Sequence, residues 1–397
     1  MPTKRKNKKI KISFSKNKYN LLELILVVVT TLIVGLFIGY ILFHKSTISK
    51  NNLKEIEEVY NTILNEYINE IDSDTLNKAA IDGMMSILKD KHSVYYNKEQ
   101  SEAFEIELNG YFYGVGIVIQ KDEGEYAIIQ TVYKNSPAEK SGIKAKDKII
   151  KIDNVDVKSL TSDEIVNRIR GTVGKEFNLV IERESEQKNV KIVTGKVDIP
   201  SVEYKELSNK IGYLNIGIFA SNTDEQVKDK LKEIEKSGIN KLIIDLRYNN
   251  GGGLDTLLNI GSLFLDKDTP IINIETKAKT DTKYSTGNNN KKYQIVILIN
   301  EYSASASEAL AAALNENLDA KLVGVTTYGK GTVQRTKYLK DGSILKYTTE
   351  TWKTSKGKAI EGVGIKPTIE IKQSDKYFET LKEEDDAQLQ KAIDTLK

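Results

Sequence analysis

Residues 242–253 read Leu242-Ile243-Ile244-Asp245-Leu246-Arg247-Tyr248-Asn249-Asn250-Gly251-Gly252-Gly253. A short apolar run with no polar alternation is the mark of a strand buried on both faces, and such strands belong to parallel sheets covered by helices. The surrounding sequence repeats the theme. Ile211–Ile216 reads as a strand, and Thr223 opens a helix that turns Val227, Leu231 and Ile234 inward and stops at Gly238. After the glycines come a helix over Leu254–Leu265, strands over Pro270–Glu275 and Gln294–Ile299, a helix over Ser305–Leu314 and a strand over Leu322–Thr326. The polar, Asn- and Gly-rich stretch Lys277–Lys292 reads as a loop. Residues 332–371 alternate as strands, and Asp385–Leu396 reads as a closing helix. The expectation is an α/β core over residues 198–397 with a largely parallel sheet.

Upstream, residues 105–197 change to short strands with turn signals, and one helix lies among them, opened by Thr161 and Glu164 at capping-box spacing. Before that, residues 51–104 form a helical arm. Leu53, Ile56, Tyr60, Ile63, Leu64 and Tyr67 recur at three- and four-residue spacing, and a second helix follows Ser73 and Asp74. The arm and the closing helix each show an apolar face with no evident place in the core, which points to a homodimer. Leu24–Phe43 holds twenty residues without a charge, enough to span about 30 Å, so residues 21–43 read as an uncleaved transmembrane signal anchor. Residues 1–20 carry eight cations and no acid. This basic tail places the N-terminus in the cytoplasm and the rest outside it, by the excess of positive charge on the inner side. Nucleic acid is not its partner, because the apolar run follows at once.

The composition narrows the chemistry. The 397 residues carry a net charge of +3, which hides a net acidic chain beyond the basic tail. No cysteine is present, which excludes disulfides, thiolate metal sites and cysteine nucleophiles. An extracytoplasmic domain without disulfides suits a bacterial surface. The histidines are His44, at the predicted membrane edge, and His92, which reads as part of the helical arm. Neither is placed to serve as the base of a catalytic triad, and no metal or cofactor is expected.

Ligands of open α/β sheets bind at the carboxyl ends of the strands. Three such exits carry unusual residues: Asn249 to Gly253, Ser303-Ala304-Ser305-Ala306-Ser307-Glu308, and Tyr328-Gly329-Lys330-Gly331 followed by Gln334. Parallel strands would bring these together as a hydroxyl, an amine and a glycine-rich backbone. A serine beside a lysine whose charge is suppressed by burial is an established nucleophile–base pair. The residue types leave Ser303, Ser305 and Ser307 open as the nucleophile.

Taken in this order, the three motifs resemble those of the carboxyl-terminal processing serine peptidases, or tail-specific proteases, over residues 55–397. The resemblance implies Ser305 as nucleophile, Lys330 as general base and Gln334 as the residue that orients the lysine. It implies Ala306 and Gly251 as oxyanion donors, with Gly252 as a neighbouring candidate. Asn250 stands where the family often has proline, and Tyr328 where it often has phenylalanine. The 105–197 module resembles a PDZ domain, with Gly114, Val115, Gly116 and Ile117 as its carboxylate-binding loop. Backbone N–H groups in such a loop receive a terminal carboxylate while the peptide adds as a strand. Arg170 resembles a position that couples the PDZ domain to the protease core.

The resulting expectation is a membrane-anchored serine endopeptidase that acts on protein or peptide substrates with free, apolar carboxyl termini, its PDZ domain controlling access. The competing reading is an inactive membrane-tethered PDZ scaffold that binds peptides without cutting them.

Overall fold

The computed structural model describes residues 21–287 and 293–397, with side chains described from residue 25 onward except for 40–52. The basic tail predicted over residues 1–20 lies outside the described residues. Two compact units divide after Ile87.

The first unit contains two helices, Leu21–Glu66 and Ser73–Ile87. The apolar side chains of the arm stay exposed, Leu53, Ile56, Val59 and Ile87 among them. Among the described residues no helix is long and apolar enough to cross a membrane. The predicted 21–43 anchor is therefore not found as a span. Residues 25–39 of the first helix are helical with exposed side chains.

The second unit begins at Leu88, so residues 88–104 part company with the arm in which the sequence reading had placed them. Val94–Tyr96 is an edge strand paired with Ile344–Lys346, and Lys98–Asn109 is a helix opened by an Asn97–Gln100 capping box.

The core holds two sheets. The first runs in the order Val202–Leu207, Ile211–Ile216, Lys241–Asp245, Gln294–Ile299, Lys321–Gly324, Ile369–Glu370. Only its first pairing is antiparallel, and the other four are parallel. The second sheet is antiparallel, built on the long strand Ile344–Thr354 with Thr332–Tyr338, Val94–Tyr96, Pro270–Glu275 and Thr280–Tyr284. The last of these strands falls inside the segment read as a loop from its polarity. A largely parallel sheet therefore describes one layer only, and most pairings in the described molecule are antiparallel. The apolar residues of the parallel strands (Leu242, Ile244, Ile297, Ile299) are fully buried beneath helices, as their unbroken hydrophobicity requires.

The closing helix Ala387–Thr395 has a home in this core. Leu389, Ala392 and Leu396 pack on Ile211, Ile243, Val296, Leu298 and Val323, which removes it as a dimer face. Asp386 caps it by accepting from Leu389 N at 2.9 Å, and the Arg247 guanidinium joins Asp386 and Asp245 in one buried cluster.

The β-rich module is a six-stranded antiparallel sheet around a separate core that includes Ile129, Ile149, Ile165, Leu179 and Ile192. Tyr111–Gly114 and Gly195–Asp198 pair as its two-stranded stem.

Candidate active site

Lys241–Asp245, Gln294–Ile299 and Lys321–Gly324 are neighbours and parallel, so their carboxyl ends open at one edge. The three loops singled out by sequence meet there. Asn249 clamps the first loop to the second. Its Nδ2 donates to Ile216 O at 2.6 Å, its Oδ1 accepts from Gly251 N at 2.8 Å, and its carbonyl accepts from Ala304 N at 3.0 Å. Gly251, at φ 97°, lies so close to the second loop that a Cβ there would come within 2.9 Å of Ser305 Cβ and 2.7 Å of Ala304 O. Only glycine fits both the space and the backbone.

The three serines of the second loop differ in occupation. Ser303 is buried, with Oγ donating to Leu246 O at 2.8 Å and accepting from Asn300 N at 3.0 Å. Ser307 is buried and donates to Asn249 O at 2.9 Å. Both hold loops together. Ser305 sits at the mouth of the helix Ala306–Leu318 with φ 56° and ψ −114°, a strained conformation for a residue with a side chain, and it lines a cavity of about 340 Å³.

Lys330 and Gln334 line the same cavity, with Leu257, Ile272 and Trp352 among its apolar walls. Burial pushes the Lys330 ammonium below its ordinary pKa, and the positive charge of Lys346 adds to the effect, while Asp90, Glu308 and Glu361 oppose it. Trp352 Nε1 donates to Lys330 O at 2.9 Å, and Gly331 N donates to Glu361 Oε2 at 2.6 Å, so the lysine loop is held on both sides. Gln334 Nε2 donates to Thr332 Oγ1 at 3.0 Å and Thr348 Oγ1 at 3.1 Å. Among the described residues no hydrogen bond joins the side chains of Ser305, Lys330 and Gln334. They line one cavity.

Of the two glycine amides named as oxyanion donors, that of Gly251 is already engaged by Asn249. The N–H groups of Ala306 and Gly252 have no acceptor among the described residues.

The residue that sequence reasoning quoted without giving a role is Glu308. It is fully buried. Its Oε1 accepts from Thr327 Oγ1 at 2.6 Å and Gly329 N at 2.7 Å, and its Oε2 accepts from Ser305 N at 2.7 Å and Lys330 N at 2.9 Å. Its place three residues after Ser305 is a capping-box spacing, which is the signal that marks it. His92 also differs from its expected setting. It lies on the Asp90–Ser93 turn of the second unit, its ring edge-on to Tyr328 at 6.4 Å between centroids. Burial, followed by the Lys330 charge, lowers its pKa, and its buried Nε2 has no partner among the described residues.

In the β-rich module, Ile117–Gln120 is an edge strand, which leaves one side open to an added strand. Gly116 has φ 83° and packs on Ser136, where a Cβ would approach Ser136 Cβ to 2.4 Å. The carbonyls of Val115 and Gly116 accept from Ala138 N and Tyr133 N, both at 2.9 Å, whereas their own N–H groups have no acceptor among the described residues. Ile117, which opens the strand, and Val166 are half-buried, while Ile169 belongs to the module core. Arg170 is exposed and makes no ion pair among the described residues; nothing in its contacts links it to the cavity.

Comparison with known proteins identifies the family. Residues 210–371 match peptidase family S41, residues 104–182 the PDZ domain, and residues 43–100 the N-terminal domain of the activating protease CtpB. The chain is 39% identical over 352 residues to a probable CtpA-like serine protease of Staphylococcus aureus (strain COL), covering 88% of this chain and 70% of the relative. It is 38% identical over 373 residues to a probable CtpA-like serine protease of Staphylococcus haemolyticus (strain JCSC1435), covering 92% and 74%. Among solved structures, the photosystem II D1 C-terminal processing protease aligns with a TM-score of 0.46 and 25% identity, over 79% of this chain and 86% of that one. A sequence this similar over this much of both chains places the protein among the CtpA-like carboxyl-terminal processing serine peptidases of family S41, with a PDZ domain of its own.

Proposed function

We propose that the protein is an endopeptidase that cuts protein or peptide substrates through an acyl-enzyme on Ser305, with Lys330 as general base. The observation that carries this is the pairing, in one cavity, of a strained serine at a helix N-terminus with a half-buried lysine of lowered pKa. Neutral Lys330 Nζ takes the Oγ–H proton as Oγ bonds to the scissile carbonyl carbon. The oxyanion that forms accepts from the N–H groups of Ala306 and Gly252, which have no acceptor among the described residues. Collapse of the intermediate breaks the C–N bond, and the Lys330 ammonium returns its proton to the leaving amine. Water then hydrolyses the ester by the same exchange in reverse. Gln334, fixed through its Nε2, retains Oε1 as an acceptor to steer the lysine.

The PDZ domain, residues 105–197 on this reading, receives the substrate's carboxyl terminus on the free N–H groups of Val115 and Gly116 and so governs access to the cavity. The uncharged run of residues 24–43 behind a basic tail supports a single-pass membrane anchor with the catalytic part outside a bacterial cell. The exposed apolar faces of the arm support a homodimer built on residues 51–87. An inactive scaffold is not favoured.

The test is labelling by a fluorophosphonate, which reacts with activated serines, together with cleavage of an unfolded protein substrate. Ser305→Ala and Lys330→Ala should each lose both by about a thousandfold or more while melting normally, since members of one catalytic unit fail together. Full activity in Lys330→Ala at neutral pH would exclude the pair.

A further inference from the structure

We infer that Lys346 is a positioning residue for the reaction, a second lysine that keeps Lys330 unprotonated and therefore able to act as a base. This rests on the Ser305–Lys330 reading above and concerns a residue outside its motifs.

Lys346 and Lys330 line the same cavity. Lys346 lies on the strand Ile344–Thr354, two residues from Thr348 and thus on the same face, because side chains alternate along a strand. Thr348 is opposite Gln334 in the register and bonded to it, and Lys346 is opposite Thr336, another lining residue. The strand therefore presents to the cavity first a group that holds Gln334 and then a cation.

The manner in which this cation is held matters. A carboxylate partner would cancel its field. Lys346 has no ion pair among the described residues. Its Nζ instead lies 5.3 Å from the Phe104 ring centroid and 5.6 Å from that of Tyr96, and the two rings stack at 4.8 Å. Ring faces attract an ammonium without neutralising it. The charge is held on the rings uncancelled, in the wall of the cavity that Lys330 also lines, where burial weakens screening.

Other charges also bear on Lys330. Asp90, Glu308 and Glu361 favour its ammonium form, and the His92 imidazole, itself influenced by Lys330, has its pKa lowered by burial and stands neutral at pH 7. Against these three carboxylates, the charge of Lys346 acts to disfavour the Lys330 ammonium. A like charge beside a lysine disfavours its protonated form.

The rate of fluorophosphonate labelling of Ser305 in the full-length protein, followed from pH 6 to 10, tests this without a known substrate. Lys346→Met should raise the midpoint of the pH–rate curve by about one unit, slow labelling at pH 7 about tenfold, and recover the wild-type plateau at high pH. Lys346→Arg should keep the wild-type midpoint, and Lys337→Met, an exposed lysine on the adjacent strand, should change nothing. Phe104→Leu, which loosens the ammonium, should shift the midpoint in the same direction by less, and serves where Lys346→Met does not fold. An unmoved midpoint in folded Lys346→Met overturns the inference, whether the plateau is kept or lowered equally at every pH. Labelling that persists in Lys330→Ala overturns the underlying dyad instead, and is distinguished by that variant alone.

Discussion

Ser305 and Lys330 are tied to a single oxygen atom: each donates its backbone N–H to Oε2 of Glu308, at 2.7 and 2.9 Å. The two side chains do not bond, yet their backbones cannot move apart without stripping a buried carboxylate of its donors. The spacing of the proposed nucleophile and base is thus set by the main chain, and the side chains remain free to close on a substrate.

Glu308→Gln tests this tie. Glutamine presents one acceptor oxygen to four donors, and its NH₂ would face two of them. We expect a loss of about 2–4 kcal/mol of stability, from groups left unpaired in the interior. Fluorophosphonate labelling should fall by about a hundredfold or more, because misplacement by a fraction of an ångström is costly in a reacting pair. Thermal melts and labelling rates read the two effects separately.

Thr348→Val removes one of the two acceptors that fix Gln334 Nε2. One hydrogen bond of about 1 kcal/mol corresponds to a rate loss of roughly five- to tenfold, far milder than Lys330→Ala. A loss as large as that of Lys330→Ala would mean that Thr348 does more than hold Gln334.

Glu361→Gln keeps an oxygen to accept from Gly331 N but removes a negative charge that favours the Lys330 ammonium. The pKa of Lys330 should fall further. The midpoint of the pH–rate curve should then move to lower pH, opposite to Lys346→Met, and labelling below the midpoint should speed up. Glu361 is exposed, so added salt should shrink the shift.

Arg247 bridges Asp245 and Asp386 with all three buried. Arg247→Met strands two carboxylates and should cost about 3–5 kcal/mol in a denaturant titration. Burial of Asp386 opposes its ionisation, but the Arg247 bond and charge win and hold its pKa below the ordinary value. A carboxyl with a depressed folded-state pKa adds stability above its unfolded value, about 3.9, and loses it as pH falls through the folded one. The stability gap between wild type and Asp386→Asn should therefore be full at pH 7 and narrow below about pH 4.

Amidating the carboxyl terminus of a peptide substrate should slow its cleavage at subsaturating concentration, because the Val115 and Gly116 amides would lose the charge they receive. Equal rates for amidated and free-acid peptides would show that the module does not read the terminus.

What the sequence made legible was local. An apolar run such as Leu242–Ile244 declares a buried parallel strand, and three such strands in series place their exit loops side by side. The second sheet was harder to see, since Thr280–Tyr284 is polar and its partners lie far away in the chain. The helix Lys98–Asn109 was folded into the arm of residues 51–104, and its place at the cavity follows from the distant pairing of Val94–Tyr96 with Ile344–Lys346. The same pairing accounts for Lys346. A single lysine in a strand has no marker until the register sets it opposite Thr336. The closing helix was readable as a helix and not in its packing, because its apolar face fits a sheet surface formed by strands more than fifty residues upstream.

The backbone of Ser305 has a further consequence. Its φ of 56° with ψ of −114° is a conformation that glycine adopts at little cost and serine resists. The protein therefore holds the hydroxyl proposed as its nucleophile in a state that opposes its own folding. Replacing Ser305 with glycine should give a protein that no longer cuts and yet melts at a higher temperature than the wild type, by about 1 kcal/mol of relieved strain less the greater entropy of the unfolded glycine chain. Heat resistance and reactivity would then be in direct competition at a single residue, and selecting variants for thermal tolerance alone would favour loss of the nucleophile.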